Sequence, residues 1–304
     1  MKISLLLFSG FLFFVQQVIP TVSYAQSNLD SSNGMIKGDF FSDTNSLLDQ
    51  DSSDLETGFE NKFNNIFNTV KKAEQSSKNT DLGPFGRYLL GKHLAARAVA
   101  AYKVSKDNDE KTNYLTNITS SLLAVSRNPD SYKDPVIILL EEPNLINAFA
   151  APGGFIFITT GMLGFIQNED ELAFVLAHEI AHIELDHGLN AIKQNEGSKI
   201  FDDATDEASE TFFRSFKNFA ENGYSETIEA EADLRGAEIA SSLGYDVSQG
   251  IQVIKRLEQV LGRTHGIGYP KNRIKRLENN FDNSGVKKES VELRKKRYSN
   301  KILR

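Results

Sequence analysis

The chain has no cysteine. That one absence excludes a disulfide scaffold, a thiolate-ligated zinc site, a thiol nucleophile and a lipid-modified N-terminal cysteine together. Positive charge is also in short supply: 34 Lys and Arg face 41 Asp and Glu, for a net charge of −7. This argues against binding nucleic acid through a broad basic surface. Past the first residues, no apolar run approaches the ~20 residues of a spanning helix, and no internal repeat occurs. Histidine is rare, with five in 304 residues. The rest is ordinary. At 40% hydrophobic and 25% charged residues, the composition is that of a globular protein and excludes a wholly disordered or fibrous one. The length suits one large domain or two small ones.

Residues 1–25 read as a secretory leader. Lys2 precedes an apolar stretch over 3–15, the Gln16-Gln17 pair interrupts it, and Ser23-Tyr24-Ala25 places small residues at the −3 and −1 positions. A retained membrane anchor is the competing reading, disfavoured because the glutamines break the run short of spanning length. Cleavage near Ala25 leaves an exported chain, periplasmic or secreted and soluble, with membrane contact at most peripheral. Residues 26–80 read as a polar, flexible lead-in with one short amphipathic helix. Up to about residue 53 the segment has too few large apolar groups to offset its ordering entropy; Phe59, Phe63, Ile66, Phe67 and Val70 then recur at helical spacing. A docked helix is favoured over a removable pro-segment.

The folded domain is expected over 81–281. Leu89, Leu90, Leu94, Ala98, Val99 and Tyr102 mark a helix with a wide apolar face, on which His93 is a packed or surface residue rather than a ligand. A second helix over about 110–127 stops before Asn128-Pro129. Three β-prone segments, 136–140, 145–150 and 155–159, are separated by Pro143 and by Pro152-Gly153-Gly154, and predict a small sheet with tight turns. Everything after Gly161 has helical character. The fold class is therefore α+β, mostly helical. Residues 282–304 form a basic C-terminal tail, with eight Lys or Arg against two Glu from Val286 onward. It is read as a charged, frayed terminal helix in preference to a contact for an acidic partner or anionic lipid.

Three of the five histidines, His178, His182 and His187, lie within ten residues. Acidic residues open the helix that carries the first two, which suits the positive end of its dipole, and Asn168 or Asp170 can cap it. His178 and His182 are four apart, about one turn, so both rings point the same way and can grip one metal ion. Glu179 is rotated by about 100°, away from the ligand direction and toward a water on that metal. Two ligands and a base on one helix are the division of labour of a zinc hydrolase.

Such a site needs a third protein ligand and an open position. Glu229, Glu231 and Asp233 lie on a later helix, where Glu229 and Asp233 share a face and Glu231 points nearly opposite. Glu229 is the third ligand by this argument. Asp233 then accepts the outer ring N–H of a ligating histidine. Taken alone, the acidic cluster would be a solvated helix face. His187, five residues beyond His182 and followed by Gly188 as a cap, reads as a helix-end histidine near the terminal carbonyls.

The order of Asn147-Ala148-Phe149-Ala150-Ala151-Pro152-Gly153-Gly154-Phe155-Ile156-Phe157, Gly161, His178-Glu179-Ile180-Ala181-His182 and Glu229-Ala230-Glu231-Ala232-Asp233 resembles peptidase family M48. These zinc endopeptidases include the CAAX prenyl proteases, HtpX and the periplasmic BepA and LoiP group. The resemblance covers about 83–277. It implies a zincin-like (gluzincin) domain with a small β-sheet beside the HExxH helix, and one Zn²⁺ on His178, His182 and Glu229 with Glu179 as base. It implies a polypeptide substrate bound as an added strand at a sheet edge, for which Asn147, Ala148, Phe149, Gly153 and Gly154 are the expected residues. Family members carry a Thr-His-Pro segment and a later arginine. Thr264-His265-Gly266 lacks that proline and Arg273 stands two residues further on, so His265 and Arg273 are carried over as zinc plug or oxyanion stabiliser with both departures noted. The expected function is extracytoplasmic zinc-dependent hydrolysis of unfolded or misassembled envelope proteins; the rival is a chaperone-like binder of the same proteins.

Overall fold

The computed structural model describes residues 84–105, 109–127, 136–196, 206–265, 272–281 and 286–303. The expected leader and the lead-in over 26–80 lie outside the described residues. In chain order the elements are α1 (Pro84–Ala101), α2 (Asp109–Ala124), β1 (Val136–Leu140), β2 (Ala148–Ala151), β3 (Phe155–Thr159), α3 (Thr160–Phe165), α4 (Glu169–Glu184), α5 (His187–Glu196), α6 (Asp206–Asn222), α7 (Glu226–Ser242), α8 (Val247–His265), α9 (Asn272–Asn280) and α10 (Lys288–Lys301). This is a mostly helical α+β fold, as the apolar periodicities predict.

The sheet has the order β1-β3-β2. β1 runs parallel to β3 and β2 antiparallel to it. Alternate side chains separate two cores: Ile137, Leu139, Ile156 and Ile158 pack with α2 and α4, while Ile138, Leu140, Phe149 and Phe157 pack with α1 and α6. Covered on both faces, β3 is buried along its whole length. Phe149 is opposite Phe157 in the register, and their rings stack at 4.7 Å.

The second β-prone segment forms a strand only from Ala148. The buried Thr159 hydroxyl donates to Leu145 O, lies 3.0 Å from Asn147 O and accepts from Asn147 N and Met162 N, so residues 145–147 are pinned as a bend. Thr159 N also donates to Asn147 O at 3.1 Å. Hydrogen-bonded pairs alternate along an antiparallel ladder. Phe149 and Ala151 therefore direct their main-chain groups toward β3, and Ala148 and Ala150 direct theirs to the open side. Gly153 and Gly154 form the turn after β2. A Cβ at Gly153, whose φ is 77°, would come within 2.5 Å of Tyr88 Cα. The expectation that Gly153 admits substrate is corrected: the backbone approaching there is helix α1.

Helix α4 runs through the centre of the molecule. Leu172, Ala173, Phe174, Val175, Leu176, Ala177, Ile180 and Ala181 are all buried, so the helix is apolar around most of its circumference, the pattern of a central helix. Asn168 caps it, its side-chain oxygen accepting from Glu171 N at 2.9 Å. The first-turn acids are nearly inaccessible, and each meets an arginine: Glu169 with Arg297, Asp170 with Arg294, Glu171 with Arg256. Two of these arginines come from the basic terminal segment. That segment is no frayed tail, because α10 docks through the fully buried Tyr298, whose hydroxyl donates to Leu163 O at 2.6 Å. Charge composition alone exposed the lysines but not the one aromatic that anchors them.

Candidate metal centre

Helix α7 crosses α4 at Gly236, where an added Cβ would lie 2.8 Å from His178 N and 2.9 Å from its Cα. The two backbones touch because no side chain intervenes. Glu229 and Asp233 lie seven and three residues before Gly236, on the same stripe of α7. Close crossing therefore carries both carboxylates onto the histidines of α4.

His178 Nε2 and His182 Nε2 are 3.0 Å apart. Glu229 Oε2 is 3.5 Å from the first and Glu229 Oε1 3.9 Å from the second. One ligand atom from each of the three residues falls within 4.8 Å of the others. A zinc ion about 2.0–2.1 Å from each nitrogen and from a carboxylate oxygen fits between such donors, and two imidazoles plus one carboxylate are a known zinc set. Asp233 Oδ1 sits 3.0 Å from His178 Nδ1, the outer ring nitrogen, and fixes the ring's orientation. Tyr224 N donates to Glu229 Oε1 at 3.0 Å and the Tyr224 ring stacks on His182 at 4.7 Å.

The electrostatics favour a cation here. Burial alone would lower the pKa of His178, but the Asp233 and Glu229 carboxylates outweigh it and push it up to about 10. Glu229 feels burial in the opposite sense; His178, Arg273 and His182 nevertheless hold it well below the usual carboxylate range. His182 is kept neutral by burial and by the neighbouring His178. Glu179 differs. Burial pushes its carboxyl up to about 7, with Glu229 adding to the rise and His178 and Arg273 opposing it. A carboxylate of that affinity for protons is suited to general-base work near neutral pH.

The remaining sequence candidates separate. Arg273 is buried on α9, where its Nε and Nη2 bind Asp233 at 2.5 and 2.7 Å while Nη1 lies 3.4 Å from Glu229. It clamps the α7 carboxylates here, and the expected oxyanion role would require it to leave Asp233. His265 ends α8, and its side chain lies outside the described residues. Asn147 spends its side-chain amide on Ala220 O at 2.7 Å, and Phe149 is a core residue. Of the expected substrate-edge residues, only Ala148 offers main chain to the open side, joined by Ala150. A small pocket beside His182 is lined by Ala150, Ala151, Pro152, Asp186, Leu189 and Tyr224.

His187 is where sequence reasoning went wrong. Placing His187 at the end of the helix that carries His182 assumes one continuous helix, yet α4 stops at Glu184 and Asp186 takes φ 55°. His187 opens α5, so Gly188 is no cap. Its Nδ1 lies 3.0 Å from His182 Nδ1. The clustering of three histidines was the available signal.

A model of Peptidase family M48 matches residues 109–280, more than half of the chain. The chain belongs to that family. It is 28% identical over 149 residues to the beta-barrel assembly-enhancing protease of Yersinia pestis, covering 44% of this chain and 30% of that protein. Over 139 residues it is 28% identical to the mitochondrial metalloendopeptidase OMA1 of Arabidopsis thaliana, covering 43% and 27%. With the Schizosaccharomyces pombe OMA1 the match is 28% over 195 residues, 59% of this chain and 56% of that one. The chain thus spans less than a third of each of the first two relatives. The matched region contains β1 to α9, and with them all three metal ligands, Glu179 and the sheet edge. In this family member the HExxH helix and the acidic motif meet through Gly236.

Proposed function

We propose that the chain is a zinc-dependent endopeptidase that is exported after cleavage near Ala25 and hydrolyses peptide bonds in unfolded or misassembled envelope proteins. The observation that carries the reading is the convergence of His178, His182 and Glu229 with the buried base Glu179 one residue along. Among the described residues no helix is long and apolar enough to cross a membrane. The similarity to a protein named for β-barrel assembly supports an envelope substrate.

Substrate binds as an extended strand along β2, exchanging main-chain hydrogen bonds with Ala148 and Ala150. Zinc held by the three ligands supplies Lewis-acid activation of water and of the scissile carbonyl. The Glu179 carboxylate accepts a proton from the attacking water and passes it to the leaving amine nitrogen as the C–N bond breaks. Asp233 holds the His178 ring throughout, and Arg273 keeps both α7 carboxylates ionised. The burial of Glu179 keeps bulk water from competing for that proton.

The test is cleavage of an unstructured casein-like protein with and without chelator, run beside Glu179→Gln. Chelator should abolish cleavage by the wild type. The variant should keep its zinc and lose nearly all turnover. Substantial cleavage by the variant would refute the role of Glu179, and capture of substrate without cleavage by zinc-loaded wild type would favour the chaperone-like reading.

A further inference from the structure

The second ligand histidine has a support that lies outside the known HExxH and acidic motifs. His182 presents Nε2 toward His178 and Glu229, so metal ligation uses its Nε2 lone pair and leaves the proton on Nδ1. That N–H is buried and needs an acceptor. The atom facing it is His187 Nδ1, at 3.0 Å. Nδ1 of His187 can accept only if its own proton is on Nε2, and Nε2 is 3.4 Å from Glu231 Oε2. Glu231 is on α7 between Glu229 and Asp233, turned to the outer side of the site. The two ends of the array differ in exposure: His187 is buried, while the Glu231 side chain is 59% exposed. On the ring faces, Tyr224 stacks on His182 at 4.7 Å and sits 6.3 Å from His187.

We infer that His187, with the Glu231 carboxylate beside its outer nitrogen, is the positioning residue for His182, accepting the His182 Nδ1 proton and so fixing which nitrogen of that ligand faces the metal. The inference rests on the zinc-site reading above and adds a residue to it. It gives the two ligand histidines different supports: His178 is held by a buried carboxylate, His182 by a neutral imidazole. A neutral acceptor fits this position because His182 lies within the field of the Glu179, Glu229 and Asp233 carboxylates, whose three charges Arg273 and a bound Zn²⁺ would together balance, so that a fourth buried negative charge would be unpaired.

The experiment is zinc affinity of the purified full chain, measured by competition with a chelating dye, for wild type, His187→Leu and His187→Asn. Leucine fills much of the ring's space but accepts nothing, and the expected loss is about 10–100-fold in zinc affinity, the usual effect of removing such a partner. Asparagine places an amide oxygen where Nδ1 stood and should keep affinity within a few-fold of wild type. Equal affinity in wild type and His187→Leu, or an equal loss in both variants, would overturn the inference. So would a ¹⁵N-histidine spectrum of the zinc-loaded wild type showing His187 protonated at Nδ1. Failure of the wild type itself to bind zinc would instead refute the site. The tautomer spectrum also guards against a leucine variant that merely folds badly, since it is read on the unaltered protein.

Discussion

Replacing Arg273 by alanine separates a clamp from an oxyanion stabiliser. The guanidinium is 7% exposed, its partner Asp233 is 1% exposed, and the two are joined by paired contacts of 2.5 and 2.7 Å. Removing it leaves the buried Asp233 carboxylate with only the His178 ring beside it, and breaking such a pair costs about 3–5 kcal/mol. At about 2–4 °C per kcal/mol for a domain of this size, the melting temperature should fall by roughly 6–20 °C. The loss should be largest in chelator. Zinc supplies positive charge to the same carboxylates and adds the usual binding linkage, so saturating zinc should recover part of it. Lysine at 273 should restore less than arginine does, because an ammonium cannot make the paired contact. The assay is thermal unfolding with chelator and with zinc, alongside cleavage kinetics. A variant with unchanged melting temperature and a kcat lowered tenfold or more would refute the clamp and return Arg273 to the reacting atoms.

Three further outcomes follow from the geometry. Ala150→Pro removes a main-chain donor on the open side of β2, where proline is tolerated on an edge strand; it should leave unfolding unchanged while raising KM for protein substrates, whereas Ala151→Pro removes a donor to β3 and should destabilise the fold. At saturating zinc, kcat/KM should fall on the acid side because Glu179 acts as carboxylate and burial raises its pKa to about 7. The bound cation pulls in the opposite direction, so the acid limb should lie between about 4.5 and 7 and vanish in what little activity Glu179→Gln retains. Arg294→Ala strands the inaccessible Asp170 and should cost about 3 kcal/mol, at the low end for a buried pair since Arg294 is partly accessible. Lys295→Ala, on the exposed side of α10, should change stability by less than about 0.5 kcal/mol. Equal effects of these two variants in thermal unfolding would mean that α10 does not clasp α4.

The site was more legible than the sheet. HExxH puts two imidazoles on one helix face whatever the rest of the fold does, since the turn of an α-helix is fixed by its backbone. The same arithmetic aligned Glu229 with Asp233 and turned Glu231 away. It failed at His187, because a two-residue break at Leu185 and Asp186 resets the angle and no local propensity announced it. The β-prone segments were found, yet their order was not: a parallel β1–β3 pair with β2 on the edge is a matter of non-local pairing, and alternating apolar residues fit several such arrangements.

Residue spacing along single helices determined the candidate metal ligands, the candidate base and the outer partner of His178. Tertiary packing alone decided that Arg273 is consumed by Asp233, that the basic C-terminal helix clasps the acidic start of α4, and that Gly153 and Gly236 admit neighbouring backbone. The reason is range. Helical periodicity is a property of adjacent residues, whereas the pairing of a buried charge depends on which distant segment arrives beside it.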